Sequence, residues 1–423
     1  MIVPAELPTP SLPALRSQSF ASWRGRLDRE QTPAVVAIAG SRGKTSVLRA
    51  AEAIFAHAGL RTATRSSGGV EIEGQSQRGE ITPWARALTR LRAGGLDVAL
   101  QEIDWATVPA LTNADIAYPV LAVSNLCANN DACLATPDTA VARKALARMK
   151  AEMQGNGKLI LNAHDFALAN STDEAHPDHY MVGMTPDAPM LRRHLSLGGN
   201  ACYLQGNAML LGEAGQTSLV TTTDDTPWLR HGSVPFAVQN ALMAAAIGRA
   251  AGLSLAQIAG GLAAYTPQAA AMPGSFNIFD IGAATVIVDR PMPSWFLRPA
   301  VRAAASIGRG RQLRVIGPML NVPSDDLSEI GRLLGRQHGA IITHGDWPQD
   351  RLAHFRLGAA MNDVPPVFMQ AADERRAIMQ GLDMLRTDDV LLVLAENAPS
   401  AVRLVAGRSR RLDDAEPMPA GAA

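Results

Sequence analysis

The chain has 423 residues, of which 47% are apolar and 18% are charged, and its formal net charge is zero. This length favours two or three domains, and the neutral balance excludes a global electrostatic attraction to nucleic acid or to an anionic membrane. No apolar stretch is long enough for a membrane span, the N-terminus lacks a secretory signal pattern, and three cysteines are too few for a disulfide framework. We therefore expect a globular cytoplasmic protein with no nucleic-acid or membrane partner.

The first strongly patterned segment follows an N-terminal arm, residues 1–34, which has one short predicted helix at Ser17–Leu27. A β-branched apolar run at Ala34–Ala39 predicts a buried parallel strand. A helix is predicted at Val47–Ala58, where apolar residues recur at helical spacing before Gly59. The residues between strand and helix read Gly-Ser-Arg-Gly-Lys-Thr-Ser.

This turn has the composition of a phosphate-binding loop. Gly40 and Gly43 allow a tight backbone with N–H groups aimed at an anion, Lys44 brings a positive charge, and Thr45 offers a hydroxyl to Mg²⁺. The match to the phosphate-loop pattern is partial, because the position of its first glycine falls on Ile38. The alternative is an ordinary strand-to-helix turn with a surface lysine. The nucleotide site predicted here comprises Gly40, Ser41, Arg42, Gly43, Lys44, Thr45 and Ser46.

Strand and helix patterns alternate after the loop. The predicted strands are Val98–Ile103, Val120–Ser124 and Lys158–Asn162, and the predicted helices are Trp84–Arg92, Thr139–Met153, Phe236–Ala251 and Leu255–Ala264. This alternation predicts a parallel sheet with helices on both faces. Two apolar runs separated by Gly206 and Asn207 add a small antiparallel excursion.

A composition break at Thr266–Gly274 predicts a domain boundary. Beyond it, strands are predicted at Thr285–Val288, Leu313–Ile316, Ala340–Thr343 and Val390–Leu394. The predicted fold class is therefore α/β. Residues 35–270 form a P-loop parallel-sheet ATPase domain, and residues 271–423 form a smaller Rossmann-like α/β domain.

Together these features resemble the Mur ligase superfamily, whose members join a carboxylate to an amine using ATP. The resemblance is nearest to the Mur-like region of cyanophycin synthetase, with poly-γ-glutamate synthase a more distant relative. It extends from about Val35 to about Glu396. Beyond the loop, the segments that carry it are Ser67–Gly74, Gly79–Thr82, Asn125, Asn162–Asp165, Asn240-Ala241, Pro273–Phe279 and Val288-Asp289.

The resemblance implies ATP and Mg²⁺ as cofactors and assigns residues to them. Glu102, at the end of the second predicted strand, matches the family's magnesium-binding glutamate beside Thr45. Lys144 falls where many members have a carbamylated lysine, and Asp131 is left as a ligand of a second metal ion. Taken alone, Glu102 also fits a solvated strand end, Lys144 an exposed helix lysine, and Asp131 a loop cap. The catalytic residues implied are Lys44, Lys144 and Glu102, the metal ligands are Thr45, Glu102, Asp131 and Lys144, and further nucleotide contacts are Asn240, Asp289 and Arg290.

The sequence departs from the family pattern at four places. A family histidine is missing at Asn129–Ala132, Ser275 replaces the arginine of Pro-Gly-Arg, Asp289–Ser294 replaces Asp-Tyr-Ala-His-Asn-Pro, and Gly317–Asn321 replaces Gly-Asp-Arg. The residues implied to hold the phosphates and Mg²⁺, Lys44, Thr45 and Glu102, are thus retained, whereas the segments that complete the ATP site in the family are altered. Losing a positioned charge from a phosphoryl-transfer site slows the reaction strongly, so the substrates have changed or ligation has been lost. Arg290 is a candidate to replace one lost cation.

Two functions remain open on this basis. One is an ADP-forming amide ligase that acts through an acyl phosphate on an amino-acid or peptide-like acceptor, with closure around residues 266–274 excluding water. The other is a catalytically degenerate ATP-binding protein that scaffolds or regulates a partner. The family's sugar-nucleotide domain and the grasp-type ATP domain of cyanophycin synthetase are expected to be absent, and a partner protein would supply the second. Homo-oligomerisation stays open.

Overall fold

The computed structural model describes residues 34–105, 108, 117–127, 137–153, 157–169 and 179–413. The chain divides into two compact units, of which the first includes the described residues up to Gly232 and Phe236–Thr266, and the second includes Ser233–Pro235 and the residues from Pro267. Each unit has its own sheet covered by helices, which confirms the predicted α/β fold class. The predicted arm before Ala34, with its short helix, and the candidate ligand Asp131 lie outside the described residues.

The first unit contains an eleven-stranded sheet. Its strands are β1 (Ala34–Ala39), β2 (Thr62–Ser66), β3 (Gly69–Ile72), β4 (Gln75–Ser76), β5 (Val98–Ile103), β6 (Ala117–Val123), β7 (Lys158–Asn162), β8 (Tyr180–Gly183), β9 (Asn200–Gln205), β10 (Ala208–Glu213) and β11 (Gln216–Thr222). Their order is β11-β10-β9-β8-β7-β6-β1-β5-β2-β3-β4. The block from β9 to β2 is parallel, and antiparallel strands extend both of its edges.

The helices of this unit begin with α1, which follows the glycine-containing turn. They are α1 (Lys44–His57), α2 (Ile81–Arg92), α3 (Pro137–Glu152), α4 (Phe166–Ala169), α5 (Pro189–Ser196), α6 (Pro235–Ala250, whose first residue groups with the second unit) and α7 (Leu255–Ala264), with a 3₁₀ segment at Pro227–Gly232. Helix α7 starts with a capping box between Ser254 and Gln257, in which the serine hydroxyl accepts the Gln257 N–H. No described helix is both long and apolar enough to cross a membrane.

Strand β1 is buried on both faces, which explains its continuous apolar sequence. Val36 and Ile38 pack into one core with α1, α6 and α7, whereas Val35, Ala37 and Ala39 pack into the opposite core with α2 and α3. Successive side chains of a strand point to opposite faces, so a central strand covered twice needs apolar residues at every position. This places the carboxyl end of β1, and the turn that follows it, at the centre of one sheet edge.

The second unit contains a six-stranded sheet with the order β12-β13-β17-β14-β15-β16. The strands are β12 (Asn277–Ile281), β13 (Ala284–Asp289), β14 (Gln312–Ile316), β15 (Gly339–His344), β16 (Val367–Ala371) and β17 (Val390–Leu394). The helices are α8 (Ser294–Ile307), α9 (Asp326–Gly335), α10 (Gln349–Ala360), α11 (Glu374–Asp383) and α12 (Ala398–Asp413). Only β12 pairs antiparallel within the described sheet, with β13. The chain reverses its winding direction between β14 and β17, where the open sheet has its topological switch point.

Candidate functional site

Two glycines shape the turn between β1 and α1. Gly40 has φ +139° and Gly43 has φ +81°, a backbone region that L side chains rarely occupy. Space is limiting as well, because a Cβ on Gly40 would overlap Ser124 Oγ and one on Gly43 would lie 2.8 Å from Asn240 Oδ1. The structure therefore requires glycine at both positions, and it places Asn240 directly against the turn.

The residues that follow β6 hold this turn in place. The Ser41 N–H donates to the backbone oxygen of Asn125 at 3.0 Å, and the Arg42 N–H donates to Asn125 Oδ1 at 3.1 Å. In return, Asn125 Nδ2 and Ser124 Oγ donate to the backbone oxygen of Arg42 at 3.0 and 2.5 Å. Because these bonds use both the amide and the carbonyl of Arg42, the loop backbone is fixed before any ligand binds.

Asp165 fixes the backbone of the segment that follows β6. Its buried carboxylate accepts the N–H groups of Leu126 and Cys127 at 2.7 and 3.1 Å, and so orients the backbone immediately after Asn125. In the sequence, Asp165 was noted only as the last residue of the matched segment Asn162–Asp165. Its bond to Cys127 joins residues 38 positions apart, so no local sequence pattern could predict it. Cys127 is also disulfide-bonded, which the cysteine count did not predict, whereas Cys202 is a buried free thiol.

Three of the predicted catalytic and metal-binding side chains meet at one corner of the sheet edge. Thr45 Oγ1 donates to Glu102 Oε2 at 2.8 Å. Lys44 Nζ donates to the Gly40 carbonyl at 3.0 Å and lies 3.7 Å from Glu102 Oε1. The Lys44 and Glu102 side chains are only 19% and 10% exposed, so solvent and salt screen their attraction less than on an open surface.

The donor set at this corner fits Mg²⁺. The ion prefers hard oxygen ligands at 2.0–2.1 Å in an octahedron, in which neighbouring ligand oxygens lie about 3 Å apart. Thr45 Oγ1 and Glu102 Oε2 are 2.8 Å apart, and Lys44 adds the positive charge that phosphate oxygens require. A hydroxyl, a carboxylate and an ammonium group beside a glycine turn can therefore hold the metal ion and the terminal phosphates of a nucleotide together.

Other predicted residues lie away from this corner. Lys144 is exposed on α3, and among the described residues no contact joins it to Glu102 or Thr45. Asp289 is buried at the end of β13 in the second unit, where its Oδ1 accepts the Arg290 N–H at 2.9 Å. Arg290 Nη2 donates to the Pro273 carbonyl at 3.1 Å, and the Arg290 side chain packs against Gly274. The guanidinium therefore lies next to the position where the family resemblance expects the arginine of Pro-Gly-Arg.

The second sheet has a polar edge that the sequence did not reveal. A Cβ on Gly317, which follows β14, would lie 2.6 Å from Glu396 Oε1 and 2.8 Å from His344 Cε1. His344 ends β15 and is 2% exposed, and its Nε2 has no hydrogen-bond partner among the described residues. Burial lowers the pKa of His344, and Asp373 opposes this effect.

This second edge lies where open α/β sheets bind ligands. Gly317 and Glu396 follow β14 and β17, the two strands that flank the switch point. The carboxylate of Glu374 accepts the N–H groups of Glu396 and Asn397 at 2.6 and 3.2 Å, which fixes the backbone after β17. We therefore treat Gly317, His344 and Glu396 as a second candidate subsite, called here the second-sheet crevice.

Comparison with known proteins agrees with this architecture. No family model matches the sequence. The cyanophycin synthetase of Synechocystis sp. is 24% identical over 382 residues, which cover 88% of this chain and 44% of that protein. The chain thus spans less than half the length of the curated relatives it matches.

Solved structures share the fold at lower identity. The bifunctional folylpolyglutamate synthase/dihydrofolate synthase of Yersinia pestis, complexed with AMPPNP and Mn ion, superposes with a TM-score of 0.61 and 18% identity, covering 94% of this chain and 96% of that one. A UDP-N-acetylmuramoyl-L-alanyl-D-glutamate–2,6-diaminopimelate ligase superposes with a TM-score of 0.58 and 14% identity, covering 93% and 81%. The chain has the Mur ligase fold. Together with the sequence similarity to cyanophycin synthetase, this confirms the resemblance to the Mur ligase superfamily.

Proposed function

We propose that the protein is an ATP-dependent ligase that joins a carboxylate to an amine through an acyl phosphate, releasing ADP and phosphate. The observation that carries the proposal is the corner formed by Lys44, Thr45 and Glu102 at the glycine turn of a Mur-type α/β unit. The acceptor we propose is an amino acid or a peptide-like molecule, because cyanophycin synthetase and a pseudomurein peptide ligase are among the similar proteins.

The nucleotide binds in this proposal at the carboxyl edge of the first sheet. The Ser41 and Arg42 N–H groups are already bonded to Asn125, so the remaining N–H groups of the loop and the Lys44 ammonium group contact the phosphates, while Asn240 borders the loop at Gly43. Thr45 and Glu102 hold Mg²⁺, which when bound neutralises charge on the transferring phosphoryl group. Asp289 and Arg290 remain proposed nucleotide contacts, and Lys144 and Asp131 remain proposed ligands of a second metal ion.

The chemistry then proceeds in two displacements. A carboxylate oxygen of the first substrate attacks the γ-phosphorus, the bond to the β-γ bridging oxygen breaks, and ADP leaves. The lone pair of the neutral amine next attacks the acyl carbon, phosphate departs with the former carboxylate oxygen, and the nitrogen releases a proton. Lys44 acts in the first step, because its ammonium group lies at the glycine turn proposed to hold the phosphates, where a positive charge stabilises the anionic transition state.

The second-sheet crevice is our proposed site for the amine-bearing substrate. Glu396 provides a carboxylate that can accept hydrogen bonds from an ammonium or amine group. His344 Nε2, which no described residue bonds, offers a second polar contact. Glycine is required at position 317, because a Cβ there would lie 2.6 Å from Glu396 Oε1 and 2.8 Å from His344 Cε1. An ATP-consuming reaction also supports our proposal that the protein works in the cytoplasm.

The experiment that tests the proposal follows ADP release from MgATP with a panel of amino acids and short acidic peptides. Each carboxylate and each amine is supplied alone and in pairs, and Lys44→Ala serves as the matched control. We expect turnover that requires a particular pair and disappears in the control. ATP binding without ADP release under every pairing would contradict ligation by this chain and favour the scaffolding function suggested by the altered Ser275 and Gly317–Asn321 segments.

A further inference from the structure

An ion-pair network connects helix α1 with the β2–β3 hairpin, close to the site formed by Lys44, Thr45 and Glu102. Arg49, one turn beyond Thr45 on α1, donates to Glu71 Oε2 from Nη1 at 2.6 Å and to Glu71 Oε1 from Nη2 at 2.5 Å. The two side chains are 10% and 23% exposed. Such a two-point bond between guanidinium and carboxylate fixes direction as well as distance.

The same guanidinium contacts both strands of the hairpin. Arg49 Nη1 also approaches Thr64 Oγ1 at 3.5 Å, and Thr64 on β2 stands directly opposite Glu71 on β3. Glu52, three residues along α1, accepts from Arg49 Nη1 at 2.9 Å and from Thr62 Oγ1 at 3.5 Å. Strand β2 is also paired with β5 in the sheet, whereas β3 is not, so these side-chain bonds add a direct connection between α1 and the outer strand of the hairpin.

The turn of this hairpin reaches the proposed metal ligand. The Ser67 N–H donates to Glu102 Oε2 at 3.2 Å, and this is the same oxygen that accepts the Thr45 hydroxyl at 2.8 Å. Ser67 lies three residues beyond Thr64, a distance of about 10 Å along an extended strand. The Glu102 carboxylate is therefore held between α1 on one side and the hairpin turn on the other.

We propose that Arg49 and Glu71 are positioning residues that set the affinity for Mg²⁺ at the nucleotide site. They fix the hairpin to the phosphate-binding helix, and the hairpin turn then presents the Ser67 N–H that orients Glu102. The proposal rests on the nucleotide site of the proposed function and deepens it, but it does not depend on ligation. Partners outside the direct ligands commonly change metal affinity by about 10–100-fold, because they orient the ligands themselves.

The test measures ATP binding to the full chain in the absence of any carboxylate or amine substrate, as a function of Mg²⁺ concentration. Glu71→Gln removes one charge of the pair, and we expect the Mg²⁺ concentration for half-maximal ATP binding to rise about tenfold, at the lower end of the range for outer partners. Metal-free ATP binding is expected to change little. Glu73→Gln is the matched control, since Glu73 forms a more exposed pair with Arg90 at 2.7 Å that does not involve α1.

A second variant removes the final link alone. Ser67→Pro deletes the N–H that bonds Glu102 while Arg49 and Glu71 keep their contact, and it should shift the Mg²⁺ dependence in the same direction as Glu71→Gln. If Glu71→Gln does not fold, Arg49→Lys takes its place, since lysine keeps the charge but loses the two-point bond to Glu71. Unchanged Mg²⁺ dependence in a folded variant, or equal loss of ATP affinity with and without Mg²⁺, would overturn the inference. A wild-type protein that binds MgATP but ligates nothing contradicts the proposed function while leaving this test fully informative.

Discussion

The carboxyl edges of the two sheets differ in how far their polar groups are already bonded. At the first edge, Lys44, Thr45 and Glu102 contact one another or the loop, so charge and geometry are set in advance. At the second edge, His344 lies buried near Glu396, and its Nε2 has no hydrogen-bond partner in the part of the chain that the structure describes. A preorganised edge suits stabilisation of a transferring phosphoryl group, whereas an edge with unused bonding capacity suits recognition of a substrate.

The largest effect is expected at the first edge. Lys44→Ala should lower kcat/KM for ADP release by about 10²–10³-fold, as removal of one preorganised group for charge stabilisation commonly does. The measurement is steady-state ADP release with the substrate pair found in the panel. Lys158→Ala is the control, because Lys158 lies over the Tyr180 ring at 5.9 Å, away from the loop. An equal decrease of kcat/KM in the two variants would show that Lys44 has no special role at the first edge.

A smaller and different effect is expected at the second-sheet crevice. Glu396→Gln removes a charged hydrogen-bond acceptor worth about 1.5–3 kcal/mol, so the KM for the amine should rise at least about tenfold. The KM for ATP should change much less, since Lys44, Thr45 and Glu102, which carry the proposed nucleotide site, belong to the first unit and Glu396 is not among the proposed nucleotide contacts. Steady-state titration of each substrate distinguishes the two. A higher KM for ATP alone would contradict our assignment of the crevice.

Two matched glycine substitutions separate backbone strain from loop function. Gly43 and Gly59 flank α1 with φ +81° and +76°, so alanine at either should cost about 1–2 kcal/mol of stability. A Cβ at Gly59 meets nothing within 4 Å, whereas one at Gly43 approaches Asn240 Oδ1. Denaturant unfolding should therefore show losses at both positions, and ATP binding should weaken only in Gly43→Ala. Equal ATP affinity in the two variants would show that the turn does not bind nucleotide.

The smallest effect concerns pH. Because burial lowers the pKa of His344 below its ordinary value of 6.5, the unfolded chain binds a proton there more readily than the folded protein. The stability from neutral His344 is thus present above pH 6.5 and lost as the pH falls through the lowered pKa. His344→Gln should lose less unfolding free energy than wild type between about pH 7.5 and about pH 5. Parallel stability curves would indicate that His344 is not buried in its neutral form.

Much of the fold could be predicted from the sequence. The strands Val98–Ile103, Lys158–Asn162 and Val390–Leu394 were predicted with the observed bounds, because doubly covered parallel strands are continuous apolar runs. The β2–β3–β4 segment was missed as strands. Thr62–Ser66 contains no long apolar side chain, and its threonines are buried in the structure beside the polar network around Arg49, which no local pattern encodes.

The candidate residues at the two sheet edges also differ in how well the sequence could predict them. Gly40, Gly43, Lys44 and Thr45 lie in one short segment, so a motif could identify them, and Glu102 was found through family resemblance. The second-sheet crevice is assembled from Gly317, His344 and Glu396, which lie at the ends of three different strands and are adjacent only through strand order. The supporting contacts of Asp165 and Glu71 likewise join residues distant in sequence. These residues become neighbours only when the sheets have folded, so the sequence alone could not predict their contacts.

The most direct test of the central claim is the fate of the carboxylate oxygen. The carboxylate substrates of the panel are labelled with oxygen-18 in the carboxyl group, and the phosphate released with ADP is analysed by mass spectrometry. Reaction through an acyl phosphate predicts one labelled oxygen in each phosphate, formed only when the amine is present. Unlabelled phosphate accompanying ADP release would show that water, not the carboxylate, attacks ATP, and would contradict the ligase mechanism.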